Sequence, residues 1–157
     1  MGKNRNNYPI TGDLFGYLIT MSQYCLREQY IDSLKPYNLT VPAWSVLVTL
    51  HQIDWQSDLQ LQSVTQLRAI TLLKQPTLTK ILQRLEEDGY VERRTHEDDQ
   101  RLTLSHITNK GRETVRNLLK KDVPKLESIA FAGFSSREQK QLKAMLTRVI
   151  NNLITES

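Results

Sequence analysis

Residues 76–94 read PTLTKILQRLEEDGYVERR, and a change of structural period falls inside them. Leu78, Ile81, Leu82 and Leu85 recur at the spacing of one helical face. Pro76 suits the first turn of that helix, where a missing N–H leaves no hydrogen bond unmade, and Gly89 suits its C-terminal cap. From Tyr90 onward the residues favour strands, with Tyr90–Thr95 as one short run and Arg101–Ile107 as a second. Between them His96-Glu97-Asp98-Asp99-Gln100 is wholly polar, so the two runs read as a β-hairpin with a solvated tip.

Upstream, Ser63 opens a short helix with Val64, Leu67 and Ile70 inward. It stops near Leu73, because Pro76 biases Gln75 away from helical angles. Two short helices joined by a tight turn make a helix-turn-helix outline. Before it, Thr40 reads as an N-cap with Pro42 in the first turn, and Ala43, Val46, Leu47 and Leu50 form a core stripe ending near Gln52. Residues 54–62 read as a loop or short edge strand. Asp13 is placed as the cap of a first helix running to about Leu34, stopped by Pro36. Leu14, Leu18, Met21 and Cys25 lie on one stripe of it, beside a second made of Phe15, Ile19, Ser22 and Leu26. So wide an apolar arc implies burial against both the chain's own core and a partner chain, with Cys25 inside.

Downstream of the hairpin, Thr108 caps a long helix expected to break or bend near Pro124. Ser135 and Glu138 form a capping box for the last helix. That helix carries Leu142, Met145, Leu146, Val149, Ile150 and Leu153 as an unbroken apolar stripe.

A chain of 157 residues suits one domain with a core that needs no disulfide or metal staples. Only six glycines and five prolines, with aliphatic residues throughout, favour a mainly helical fold. The net charge of +4 is weak support for a nucleic-acid partner, since residues 60–111 hold eight Lys and Arg against seven Asp and Glu. Any DNA contact therefore depends on where those charges point. Cys25 is the single cysteine, which excludes an internal disulfide and a Cys-rich zinc site. His51, His96 and His106 lack metal-ligand spacing and build no hydrolytic triad with Cys25, so neither an enzyme nor a cofactor is expected. The first residues lack the apolar stretch of a signal peptide, and no run approaches the roughly 18 apolar residues of a membrane span. A cytoplasmic protein with no membrane partner is expected.

Four pieces, in order, resemble the MarR family of bacterial regulators over roughly residues 10–155. Leu85-Glu86-Glu87-Asp88-Gly89-Tyr90-Val91-Glu92-Arg93 is similar to that family's join between recognition helix and wing. Asp99-Gln100-Arg101 is similar to the wing's Asp-x-Arg, and Ile107-Thr108-Asn109-Lys110-Gly111 to the start of the following helix. Leu39-Thr40 with Trp44 and Leu47 is similar to the family's second helix. Two departures stand out: Leu67 is followed by Arg68 where the family has alanine, and Leu72 occupies the turn position that usually holds glycine. The resemblance implies a mainly α (α+β) chain, a winged helix-turn-helix whose flanking N- and C-terminal helices form a dimerisation domain. Residues 10–36 and 109–155 would be the dimerisation helices, and 40–108 the DNA-binding lobe.

On the recognition helix, inward Leu78, Ile81, Leu82 and Leu85 leave Pro76, Lys80 and Gln83 outward, flanked by Thr77, Thr79 and Arg84. Hydroxyls, a lysine and an amide without acid suit phosphates and base edges of the major groove. Glu86, Glu87 and Asp88 at the far end should stay out of it. Ser63 and Gln75 complete the candidate set around the two helices. By resemblance Arg101 is the wing-tip arginine that enters the minor groove, with Asp99 holding it extended. Of Arg93 and Arg94 at the wing's base, one is expected on phosphate and the other in an internal pair.

The implied function is a homodimeric regulator on a double-stranded, pseudo-palindromic operator, a repressor released by a small aromatic or phenolic acid. Tyr24, Arg27 and Trp44 are the candidate ligand wall. A redox-sensing repressor acting through Cys25, and a winged helix that binds protein instead of DNA, are the alternatives.

Overall fold

The computed structural model describes residues 14–55, 63–95, 100–101 and 103–155. Helix α1 (Phe15–Leu34) passes through a 3-10 turn (Lys35–Tyr37) into α2 (Val41–Trp55), followed by α3 (Val64–Thr71) and α4 (Gln75–Glu87). Strands β1 (Val91–Thr95) and β2 (Thr103–Ile107) then lead to α5 (Asn109–Ala130) and α6 (Ser136–Thr155). The strands pair antiparallel, with Val91 opposite Ile107 and Thr95 opposite Thr103. Ser63 adds an isolated antiparallel bridge to Leu104, which ties the start of α3 to the hairpin.

Most of the expected caps form. The Thr40 hydroxyl accepts the Ala43 N–H at 3.3 Å, and the Thr108 hydroxyl accepts that of Gly111 at 3.1 Å. Ser63 with Gln66, and Ser135 with Glu138, make reciprocal capping boxes. Helix α4 ends in a Schellman turn: the Tyr90 N–H reaches Leu85 O, the Gly89 N–H reaches Glu86 O, and Gly89 sits at φ 74°.

The core fills the helix-turn-helix lobe. Val46, Leu47 and Leu50 of α2 close over Leu67, Leu78, Leu82 and Leu85, with Val91 and Ile107 of the hairpin and Val115 and Leu118 of α5. Gly111 is required here. A Cβ on it would lie 2.5 Å from the Tyr90 carbonyl oxygen and 2.6 Å from Ile107 Cγ1, so α5 approaches the hairpin as closely as backbone allows.

The structure corrects several expectations. The cap position of α1 falls on Leu14, which has no acceptor to offer, while Asp13 lies outside the described residues. Helix α2 runs to Trp55 instead of Gln52, because Ile53 continues the buried stripe and Asp54 finds a partner on α5. Of the expected loop, 56–62 lies outside the described residues, as does the hairpin tip 96–99. Ile70 is 52% exposed, since Leu67 and Val64 supply the inward contacts of this short helix. Helix α5 runs through Pro124 without a break; Pro124 and Lys120, whose carbonyl loses its bond, both reach water. Cys25 is exposed, because within one chain only Leu34 of α1 is buried. No described residue of α6 is buried either. Among the described residues no helix is long and apolar enough to cross a membrane.

Candidate nucleic-acid interface

The turn between α3 and α4 sets the direction of the outward helix. Leu72 closes α3 in the left-handed region at φ 57°, its N–H donating to Arg68 O at 2.9 Å. Arg68 also spans the turn, its Nη1 donating to Gln75 Oε1 at 3.4 Å. The turn the family makes with glycine is thus made here with leucine. At the start of α4 Lys74 occupies the cap position without a side-chain hydrogen bond, so the first N–H groups of the helix stay open to an outside acceptor.

Two halves of α4 differ in their commitments. In the first, Pro76, Thr77, Thr79 and Lys80 are exposed, and the two threonines and Lys80 make no side-chain hydrogen bond or ion pair among the described residues. In the second, Gln83 Nε2 donates to Glu87 Oε1 at 3.1 Å, and Arg84 Nη2 donates to Asn38 Oδ1 at 2.9 Å. A cleft of about 300 Å³ separates Thr40, the cap of α2, and Ala43 from Pro76, Thr77, Lys80, Ile81 and Arg84. Ser63, an expected contact, is half-buried and engaged with Gln66, whereas Gln75 is exposed.

At the wing's base both arginines sit in internal pairs. Arg94 Nη2 is 2.5 Å from Glu92 Oε1. Arg93 Nη1 stands 3.9 Å from Glu86 Oε2, and its buried Nε has no hydrogen-bond partner among the described residues. Arg101 is exposed ahead of the returning strand, and Asp99 lies outside the described residues.

Several anchors have no counterpart in the sequence reading. The Tyr90 hydroxyl donates to Tyr37 O at 2.8 Å, and Lys110 Nζ donates to Asp88 O at 2.6 Å while lying 4.5 Å from the Tyr90 ring centroid. Arg112 grips Asp54 through Nε and Nη2, at 2.8 and 2.9 Å. The Arg112 hydrogen bond holds the Asp54 carboxyl below the usual carboxylate range. Burial pushes His51 and His106 beside it below the ordinary histidine value. The sequence signal for this pair is the one acid of α2, near its end, which periodicity alone assigns to a loop.

Trp44 is in the core at 7% exposure, while Tyr24 (58%) and Arg27 are exposed on α1. None of the three lines the cleft described above.

Helix-turn-helix, hairpin wing and flanking helices make a winged-helix fold, like that of MarR-type structures. Over residues 29–118 the chain matches the transcriptional regulator SarA/Rot family, and it belongs to that family. Solved structures with the same fold include MarR from E. coli in its apo form, at 21% identity and TM-score 0.69, covering 86% of this chain and 96% of that one. The S. aureus MepR–DNA complex matches at 19% identity and TM-score 0.75, over 88% of this chain and 97% of that one. CouR from Rhodococcus jostii, bound to p-coumaroyl-CoA, matches at 22% identity and TM-score 0.73, over 90% and 95%.

Proposed function

We propose that the protein acts as a homodimeric repressor that reads a pseudo-palindromic operator and leaves it when a small aromatic or phenolic acid binds. The observation that carries the DNA reading is the contrast within α4. Its first half offers uncommitted hydroxyls, a lysine and open helix N–H groups, while its second half is tied to the protein. Thr77, Thr79 and Lys80 face base edges and phosphates of the major groove, with Gln75 at the helix start, and Gln83 joins them by leaving Glu87. Arg101 enters the minor groove with Asp99 orienting it, and one of Arg93 and Arg94 exchanges its internal carboxylate for a phosphate on binding while the other keeps its pair. The structure of MepR with DNA supports this mode by likeness of fold.

Dimerisation uses residues 10–36 and 109–155, leaving 40–108 as the reading lobe. Leu18 and Ile19 of α1, and Met145, Leu146 and Ile150 of α6, are exposed in one chain, more apolar surface than a lone protomer keeps in water. The effector reading draws on CouR, which holds an aromatic thioester. Effector binding would shift the population toward a separation of the two α4 helices that misfits adjacent major grooves. A second reading, in which oxidation of Cys25 replaces the effector, requires the thiol to stay as open in the dimer as it is within one chain.

Selection of bound duplexes from a random pool tests the proposal, with light scattering for mass. An inverted repeat and a dimeric mass are expected, with Leu146→Glu giving a monomer that binds weakly. Aromatic acids should then weaken operator binding by about 1–3 kcal/mol, reciprocally, and Cys25→Ser should respond as the parent does. A monomeric parent sinks the dimer. Release by peroxide alone, abolished in Cys25→Ser, replaces the effector with the thiol.

A further inference from the structure

The corner between α1 and α2 grips the far end of α4. Asn38 lies there in the left-handed region at φ 55°, its N–H donating to Lys35 O at 3.0 Å. Its side chain faces α4 with both functions engaged. Oδ1 accepts from Arg84 Nη2 at 2.9 Å, and Nδ2 donates to Asp88 Oδ2 at 3.3 Å. Arg84 Nε is itself 3.9 Å from the same Asp88 oxygen, which closes a triangle. One residue earlier, Tyr37 O accepts the Tyr90 hydroxyl at 2.8 Å, just past the end of α4. Leu34 and Leu39 on either side are buried, so the corner is rooted in the core.

We propose that Asn38 is a positioning residue for operator recognition: it locks the C-terminal turn of α4 to the corner below α1 through Arg84 and Asp88, and so sets the angle between recognition helix and dimerisation helix. This rests on the reading of α4 as the groove-binding helix. It removes Arg84 from the DNA-contacting set and gives it an internal role.

The physical case is one of leverage. Helix α1 has 20 residues, about 30 Å at 1.5 Å per residue, so a few degrees at the corner displace its far end by ångströms. Two α4 helices in a dimer must meet grooves about 34–36 Å apart, and that separation depends on this angle in each protomer. The bonds are solvent-exposed and individually weak, so they add little to folding stability. They act in geometry: an amide with its acceptor on the guanidinium and its donor on the carboxylate admits one arrangement of the three groups.

The test compares duplexes recovered by selection with versions whose half-sites are one base pair closer or farther apart. Asn38→Gly keeps the left-handed backbone and removes the bridge. It should bind the selected duplex about tenfold more weakly, discriminate less between spacings, and keep the parent's unfolding midpoint and its affinity for random duplex. Asn38→Asp keeps the acceptor for Arg84 but sets a second carboxylate against Asp88, so it should fail to recover the spacing preference. Arg84→Met should behave like Asn38→Gly with an unchanged salt slope, because every phosphate keeps its protein partner. Parent-like affinity and spacing preference in Asn38→Gly overturn the proposal. So does a flattened salt slope in Arg84→Met, which makes Arg84 a phosphate ligand. A parent protein that retains no duplex fails the DNA reading itself, a result separable from both.

Discussion

Leu72 holds a backbone conformation that costs an L-residue about 1–2 kcal/mol and that glycine takes freely. Its side chain is 61% exposed, so little packing offsets the cost. Leu72→Gly should relieve that strain while adding about 0.5–1 kcal/mol of chain entropy to the unfolded state. Urea unfolding is expected to place the variant within about 1 kcal/mol of the parent, and Leu72→Ile below both, since β-branching is poorly tolerated at positive φ. A loss above about 2 kcal/mol for the glycine variant would mean the side chain packs against something the described chain does not contain. In the sequence this position is visible as a departure in the turn. That leucine adopts the glycine geometry is not, because it depends on what the flanking helices impose. The same limit applies to Arg84: a helical wheel gives the direction of a side chain but not its partner 46 residues away.

At the level of elements, what is legible is what is local. Caps at Thr40, Ser63, Thr108 and Ser135, and the stop at Gly89, follow from residues within a few positions of one another. The anchors that orient the elements join residues 22, 53 and 58 apart, and no periodicity encodes them. Gly111 belongs to a motif that the sequence displays without a reason, and the structure supplies the cause. Gly111→Ala should push α5 off the hairpin, costing about 1–3 kcal/mol in chemical denaturation, as overpacking usually does. An unchanged stability would mean that the close approach is not needed. The histidines give a pH dependence with a definite sign. His51 lies near Arg116, Asp54 and Arg112, and His106 near Arg94, Glu92, Asp54 and Arg112; burial lowers both from the ordinary 6.5. The unfolded chain therefore binds protons first, and stability should fall as the pH drops below about 6.5 toward the folded values. Replacing both with glutamine should flatten the profile there, whereas an unaltered profile would assign the loss to other groups. The depressed carboxyl of Asp54 adds a separate loss in more acid solution, as the pH falls through its folded value.

Seen whole, the molecule separates its surfaces by role. The core lies in the helix-turn-helix lobe and reaches the end of α1 and, through Val123, past the middle of α5, leaving the apolar sides of α1 and α6 uncovered within one chain. Wide apolar arcs on the first and last helices make this face legible in the sequence. They also mislead on Cys25, because a pattern of apolar residues does not say which chain covers them. Net charge is a poor guide for a related reason. The lobe's acids gather at the end of α4 and on the wing, so a near-neutral total conceals a first half of α4 without acid.

The central claim is that this half of α4 meets DNA, and the salt dependence of Lys80→Ala tests it most directly. Affinity for the selected duplex is measured against salt concentration for parent and variant. Removing one phosphate-neutralising charge from each protomer should weaken binding to every sequence and flatten the log-affinity against log-salt slope by about one unit per half-site. Parallel lines for the two proteins would contradict the account, since Lys80 would then lie off the DNA and the outward face of α4 would serve another partner.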